Sequence, residues 1–216
     1  MCARGYSQPL QRRITDFGAD VPFAKISFKL KEHYGIEVPT SSAQNITETH
    51  ALKIRENEYL ETEIPEQAGV ERIVVEMDGS MIPIVTTDVI PSGEQSIDRR
   101  KTRQVAWKEA RLSLARPLGS VETVYEAIFL GGVDDAGDRM AHCAIEAGAG
   151  ENTKIHCVSD GAPWIADQAE SAHRYVIQER LKLAGAWWTP ENAHNMLALR
   201  SLRANNQWES YWDSLN

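Results

Sequence analysis

The sequence predicts an α/β chain with a helical segment at each end. Three observations predict it. Apolar residues recur every three to four positions before residue 60. From Glu71 to about Trp164, β-branched runs alternate with turn residues, and two of those runs finish in Asp-Gly. Helical spacing returns from Pro163 to the end. The division falls near residue 62, between a helical, helix-turn-helix-like segment (1–62) and a larger α/β body (63–216). A chain of 216 residues is long enough to bury one sizeable core.

In the first segment Phe23, Ile26, Leu30 and Tyr34 define one face of an amphipathic helix. Gly35 suits the position after that helix and Pro39 follows soon after. Thr40, Ser41 or Ser42 can cap a second helix that carries Ala43, Ile46 and Ile54 on one side. Two helices joined by a short Gly-containing turn are a helix-turn-helix candidate, or else a plain packing hairpin. As a DNA reader, the second helix would expose Ser42, Gln44, Asn45 and Glu48, with Lys25, Lys29 and Lys31 nearby for phosphate.

In the middle segment Arg72 to Met77 reads as a strand ending at Asp78-Gly79, with Met81 to Val85 as a partner strand beyond a tight turn. Pro83 places that partner at a sheet edge, or breaks it. Residues 87–103 read as a loop with the basic run RRKTR. Gln104 to Ala115 alternates, with Ala106, Ala110, Leu112 and Leu114 on one buried side and Arg111 on the other. Val121 to Leu130 is a further strand. Asp134 or Asp135 can cap a helix reaching Gly148. Lys154 to Ser159 is a short strand ending at Asp160-Gly161.

The last segment holds apolar positions at Tyr175, Val176, Leu181 and Leu183, then a break at Gly185. Thr189 caps and Pro190 starts a helix with Met196, Leu197 and Leu199 on its apolar face. The tryptophans from Trp164 onward read as packing of the terminal helices rather than as base-stacking groups.

Net charge is −8, which weighs against a broad nucleic-acid surface, because phosphate binding needs Lys and Arg. The imbalance is local: residues 61–169 hold ten Lys/Arg against nineteen Asp/Glu, whereas the flanking segments are nearly balanced. DNA contact must therefore rest on local basic patches. No apolar stretch approaches the ~20 residues that span a bilayer, and the start of the chain lacks a signal-peptide pattern, so the expected location is cytoplasmic. Cys2, Cys143 and Cys157 lack metal-type spacing and read as free thiols, the last two buried. His142, His156 and His173 lack the shared spacing of a zinc site. No nucleophile triad, P-loop or dinucleotide motif is present.

The chemistry therefore falls to the acidic residues of VVEMDG and HCVSDG. Two aspartates at the ends of adjacent strands, joined by a helix-borne Glu, can hold two divalent cations about 3.5–4 Å apart. Hard oxygen donors select Mg²⁺ or Mn²⁺. Asp-Gly also marks plain turns, so the spacing leaves both readings open.

MDGSMIPIV, WKEARLSLA, VDDAGDRMAHCAIEAGAG, SDGAPWI and ESAHRYVIQERLKLAGAWW, with RRITDFGADVPFAKISFKLKEHYGIEVP near the start, resemble DDE-type bacterial insertion-sequence transposases. The resemblance covers nearly the whole chain. It implies an RNase H-like mixed sheet flanked by helices, with Asp78, Asp160 and Glu170 as catalytic metal ligands for Mg²⁺ or Mn²⁺. The implied activity is cleavage of DNA at element ends and joining to a target, in the family's manner, with DNA as partner and self-association as a further option. It also implies further sequence upstream of SQPLQRR, and a long helical region between SDGAPWI and ESAHRY where only residues 166–169 stand. On one continuous helix Asp160 and Glu170 would lie roughly 15 Å apart along the axis, too far to share a cation pair, so impaired activity is expected. Asp167 lies closer to Asp160 and is a weaker substitute. Arg174 and Arg180, on the helix after Glu170, are candidates for phosphate contact.

Overall fold

The computed structural model describes residues 5–87, 103–158, 179–182 and 187–215. Asp160, Trp164, Asp167, Glu170, His173, Arg174, Gly185 and the basic residues at 99–101 lie outside the described residues.

The chain opens with three helices: α1 (Gln8–Asp20), α2 (Phe23–Tyr34) and α3 (Thr40–Glu56). Gly35 closes α2 in the left-handed region, φ 66°, and donates its N–H to Lys31 O at 3.0 Å, which a residue with a Cβ would do only under strain. The expected hydroxyl cap of α3 does not form. The helix starts one residue earlier, Pro39 sits at the cap, and its carbonyl accepts the Ala43 N–H. Ile14, Ile26, Leu30, Val38, Ala43 and Ile46 form a small core among the three helices. At Gly18 an added Cβ would lie 2.3 Å from Thr47 Oγ1, so the glycine lets α1 and α3 cross closely.

Four strands follow the helices in the order β3-β2-β1-β4: β1 (Arg72–Thr87), β2 (Arg103–Pro117), β3 (Val124–Phe129) and β4 (Lys154–Val158). β1–β2 and β2–β3 are antiparallel, whereas β4 runs parallel to β1, so the sheet is mixed. β1 corrects the sequence reading. It continues through Asp78-Gly79 without a turn and pairs with β2 from Ile73↔Pro117 to Thr87↔Arg103. Asp78 therefore sits in mid-strand, opposite Leu112, and the run 81–85 belongs to β1 itself. An added Cβ at Gly79 would meet Glu109 Oε1 at 2.3 Å, so this glycine makes room for a cross-strand side chain. Pro83 neither ends β1 nor lies on an edge strand; it falls beyond the stretch 72–76 that β4 pairs, beside the Ile84–Trp188 bridge. Val85 donates its N–H to Trp188 O at 2.8 Å, away from β2. The backbone repeat of two then turns the Pro83 nitrogen, which has no hydrogen to donate, to that same side.

β2 is also not one-sided. Residues 103–109 are exposed on both faces, whereas Ala110 and Leu112 to Ala115 are buried on both. The reason is length: the β1–β2 ribbon runs beyond β3 and β4, and only its inner half is covered. Helix α4 (Val133–Glu146) carries the chain from β3 to β4 and packs Cys143 and Ala144 against Ile73, Val75 and Ala115. Asp135 accepts the Gly132 N–H at 2.7 Å, which closes the start of α4 as the sequence suggests.

The opposite face is covered by α5 (Pro190–Ala204), whose Met196, Leu197 and Leu199 pack with Ile82, Ile84, Leu112, Leu114 and Phe129. Thr189 caps α5 by accepting the Asn192 N–H, as read from the sequence. The same core includes Ala19 of α1 and Ala51 and Ile54 of α3, so the N-terminal helices and the sheet share one apolar interior. Two buried arginines fix the end of α1. Arg180 Nε donates to Gly18 O at 2.9 Å, and Arg200 donates to Ala19 O and Asp20. The last carbonyls of a helix lack partners within it, and cations at that end satisfy them. The short helix α6 (Trp208–Asp213) inserts Trp212 beside His50 of α3, with ring centroids 4.5 Å apart. Burial lowers the His50 pKa to about 4, so the ring is neutral at pH 7.

Candidate functional site

Asp78 lies on the face of β1 that also carries Glu76, Ser80 and Ile82, because side chains alternate along a strand. Its carboxylate is exposed, and Oδ1 accepts the N–H of Gly79 at 2.7 Å. On the free side of β1, β4 aligns from Arg72↔Lys154 to Glu76↔Val158. The last described residue of β4 is thus abreast of a point two residues before Asp78. The side chains of β4 are largely exposed, and Cys157 is exposed rather than buried as the sequence suggested. Cys143, in contrast, is buried against the Ser113 carbonyl, and burial raises its thiol pKa well above the ordinary value.

The residue that sequence reasoning missed is Glu76. It is 2% exposed, and neither carboxylate oxygen has a hydrogen-bond partner. Burial raises its pKa, against the pull of Arg116. Its position two residues before Asp78 in a strand was the available signal, since that spacing places both carboxylates on one face. An unpaired buried carboxylate destabilises the fold. Glu76→Met is therefore expected to raise the unfolding free energy by about 1–2 kcal/mol. Urea denaturation checks this, and an unchanged or lower midpoint would show that Glu76 is satisfied in solution.

Among the described residues no group of three His, Cys, Asp or Glu side chains stands close enough to hold a metal ion. Asp78 alone is one exposed hard-oxygen donor, so the described residues by themselves do not make a metal centre. Cavities of about 440 and 280 Å³ lie elsewhere. The larger is lined by Gln8, Arg12, Arg13 and Trp212. The smaller is lined by Glu58, Glu126, His142 and Ser201.

Beside the smaller cavity lies a buried ionic cluster. Arg139 of α4 donates to Glu126 of β3 at 2.6 Å and to Glu58 at 2.9 Å. Burial opposes the charge on Arg139, but Glu58 and Glu126 outweigh it and raise its pKa. Burial raises the Glu126 pKa in spite of Arg139. His142 accepts the Glu61 N–H on Nδ1 and sets Nε2 3.9 Å from Glu126. The cluster ties the segment after α3 to the sheet, which is a structural task.

The residues expected to touch DNA divide into separate groups. Lys25 is exposed on α2. Lys31 pairs with Glu37 at 2.6 Å, and Lys29 lies over the Phe17 ring at 5.5 Å. Asn45 is exposed on α3, in a narrow stripe with Ser41 and Thr49. Gln44 is turned aside, because it donates to Glu48, which also accepts from Asn192 of α5. Arg180 is 2% exposed, held between the rings of Phe23 and Trp188, and burial lowers its pKa to about 10. A guanidinium committed to the core is not available to phosphate, which corrects the expectation for Arg180. Arg111, which is not one of those candidates, bonds Glu109 and the Gly132 carbonyl, at the start of α4.

No protein-family model matches the chain, and no curated protein matches its sequence. No helix among the described residues is long and apolar enough to cross a membrane.

Proposed function

We propose that this chain is a DDE-type insertion-sequence transposase with an RNase H-like core, acting on DNA with impaired chemistry. The observation that carries the reading is the strand order. β4 runs parallel to β1 and beside it, so the strand leading to Asp160 neighbours the strand bearing Asp78. The meander β1-β2-β3 and the helix α4 that returns the chain to β4 support the RNase H-like assignment. Asp78 and Asp160 would hold Mg²⁺ or Mn²⁺, with Glu170 as the third ligand by resemblance. Such ions supply Lewis-acid stabilisation of the leaving oxygen and activation of an attacking hydroxyl. Asp78 contributes a carboxylate fixed by a strand paired on both sides of its approach, so its position is held closely. With only four residues between SDGAPWI and Glu170, one continuous helix would hold the third carboxylate short of convergence, and impairment is proposed on that ground.

The test is nicking of supercoiled plasmid in Mg²⁺ and Mn²⁺. Slow nicking without joined product is expected from the wild type, and Asp78→Ala should reduce it to background. A second reading is a noncatalytic remnant that binds DNA through the N-terminal helices or self-associates. It is favoured by the short spacing between SDGAPWI and Glu170, which on one continuous helix would keep the third carboxylate from the other two. Wild-type protein that never nicks above background would select it.

A further inference from the structure

The outer half of the β1–β2 ribbon carries an exposed face on the side away from α5. Odd-numbered residues share that face: Met81, Pro83 and Val85 on β1, and Arg103, Val105 and Trp107 on β2. Trp107 stands directly across from Pro83 and is 59% exposed. On the other side of β1, Trp188 is abreast of Ile84 and buries its indole under α5. Its neighbour Trp187 is 48% exposed, and the Arg103 guanidinium lies over its ring at 5.0 Å. That contact places Trp187 on the same face as Arg103 and Trp107. The result is a row of residues, Trp107–Pro83–Trp187, across three adjacent backbones.

We infer that this row is a stacking platform for single-stranded DNA, with Trp107 receiving a base and Trp187 holding Arg103 in place for the phosphates. Exposed aromatics on a sheet face are how single strands are held without sequence preference, since every base has a π-face. Charge agrees. Arg103 lies at the outer end of the face, and the acid of that face on β2, Glu109, is engaged by Arg111 at 3.0 Å. The choice of DNA over RNA rests on the transposase reading; the stacking geometry does not.

The experiment is fluorescence anisotropy of labelled dT20, rU20 and a 20-base-pair duplex with the full chain, in EDTA. Without divalent metal, single-strand binding and metal-dependent nicking fail separately. The wild type should bind dT20 more tightly than duplex. Trp107→Ala should weaken binding about tenfold, within the range for loss of one stacked base, and Trp187→Ala should weaken it less, by releasing Arg103. Trp107→Phe should retain most of the affinity, because it keeps a ring. Unchanged affinity in both alanine variants, or no dT20 binding by the wild type, would overturn the platform. Preference for rU20 would overturn the choice of DNA. A wild-type dimer in sedimentation velocity that dissociates in Trp107→Ala would assign the face to a second copy and overturn the proposal.

Discussion

Arg139→Met is expected to destabilise the protein by about 3–5 kcal/mol, the usual cost of removing one partner from a buried ion pair. The Arg139 side chain is 8% exposed and lies between Glu58 and Glu126, which are 22% and 14% exposed. Its removal leaves two carboxylates facing each other with little water to screen them. The loss comes from stranded charge more than from lost packing, since Met fills similar volume. Urea denaturation of the single variant should show a large fall in midpoint. The double variant Arg139→Met, Glu126→Gln should recover part of it. Equal stability of wild type and single variant would mean that the cluster is hydrated in solution.

Gly150→Ala should cost a similar amount, about 3–5 kcal/mol, from overpacking together with lost hydrogen bonds. A Cβ there would meet Gln67 O at 2.1 Å and Gly69 N at 2.5 Å. These are backbone atoms and cannot rotate away. The two segments are laced together by Glu151 N–H to Gln67 O, Val70 N–H to Gly148 O and Lys154 N–H to Glu71 O. They lead directly into the parallel pair β1–β4, so a shift here disturbs the register that sets β4 against residues 72–76. Hydrogen exchange at residues 72–76 and 154–158 should accelerate in the variant. Unaltered protection would separate this crossing from the strand pairing.

What could be read in the sequence depended on whether its cause was local. Gly35, Thr189 and Asp135 act on their own neighbours, and each does what its residue type suggests, Asp135 from within the first turn of α4. Asp78-Gly79 has the composition of a turn, yet the strand runs through it. The cause is pairing with β2, more than twenty residues away along the chain, and no local rule contains that information. Helix α1 was missed although Leu10, Ile14 and Phe17 carry helical spacing. The polar residues among them find partners at the far end of the chain, Arg12 with Glu209 and Asp16 with Arg203. Arg180 was misread for the same reason: a charged residue on a helix reads as solvated until α1 presents an uncapped carbonyl to it. Of the three acidic residues carried by resemblance, Asp78 is exposed in the middle of β1, and Asp160 and Glu170 lie outside the described residues.

Anomalous scattering from crystals of the full chain soaked in Mn²⁺ tests the central claim most directly. The expected result is a Mn²⁺ peak within about 2.5 Å of carboxylate oxygens from both Asp78 and Asp160, with Glu170 outside the coordination sphere. Mn²⁺ absent from Asp78, or the two aspartates held apart with no shared ion, would contradict it.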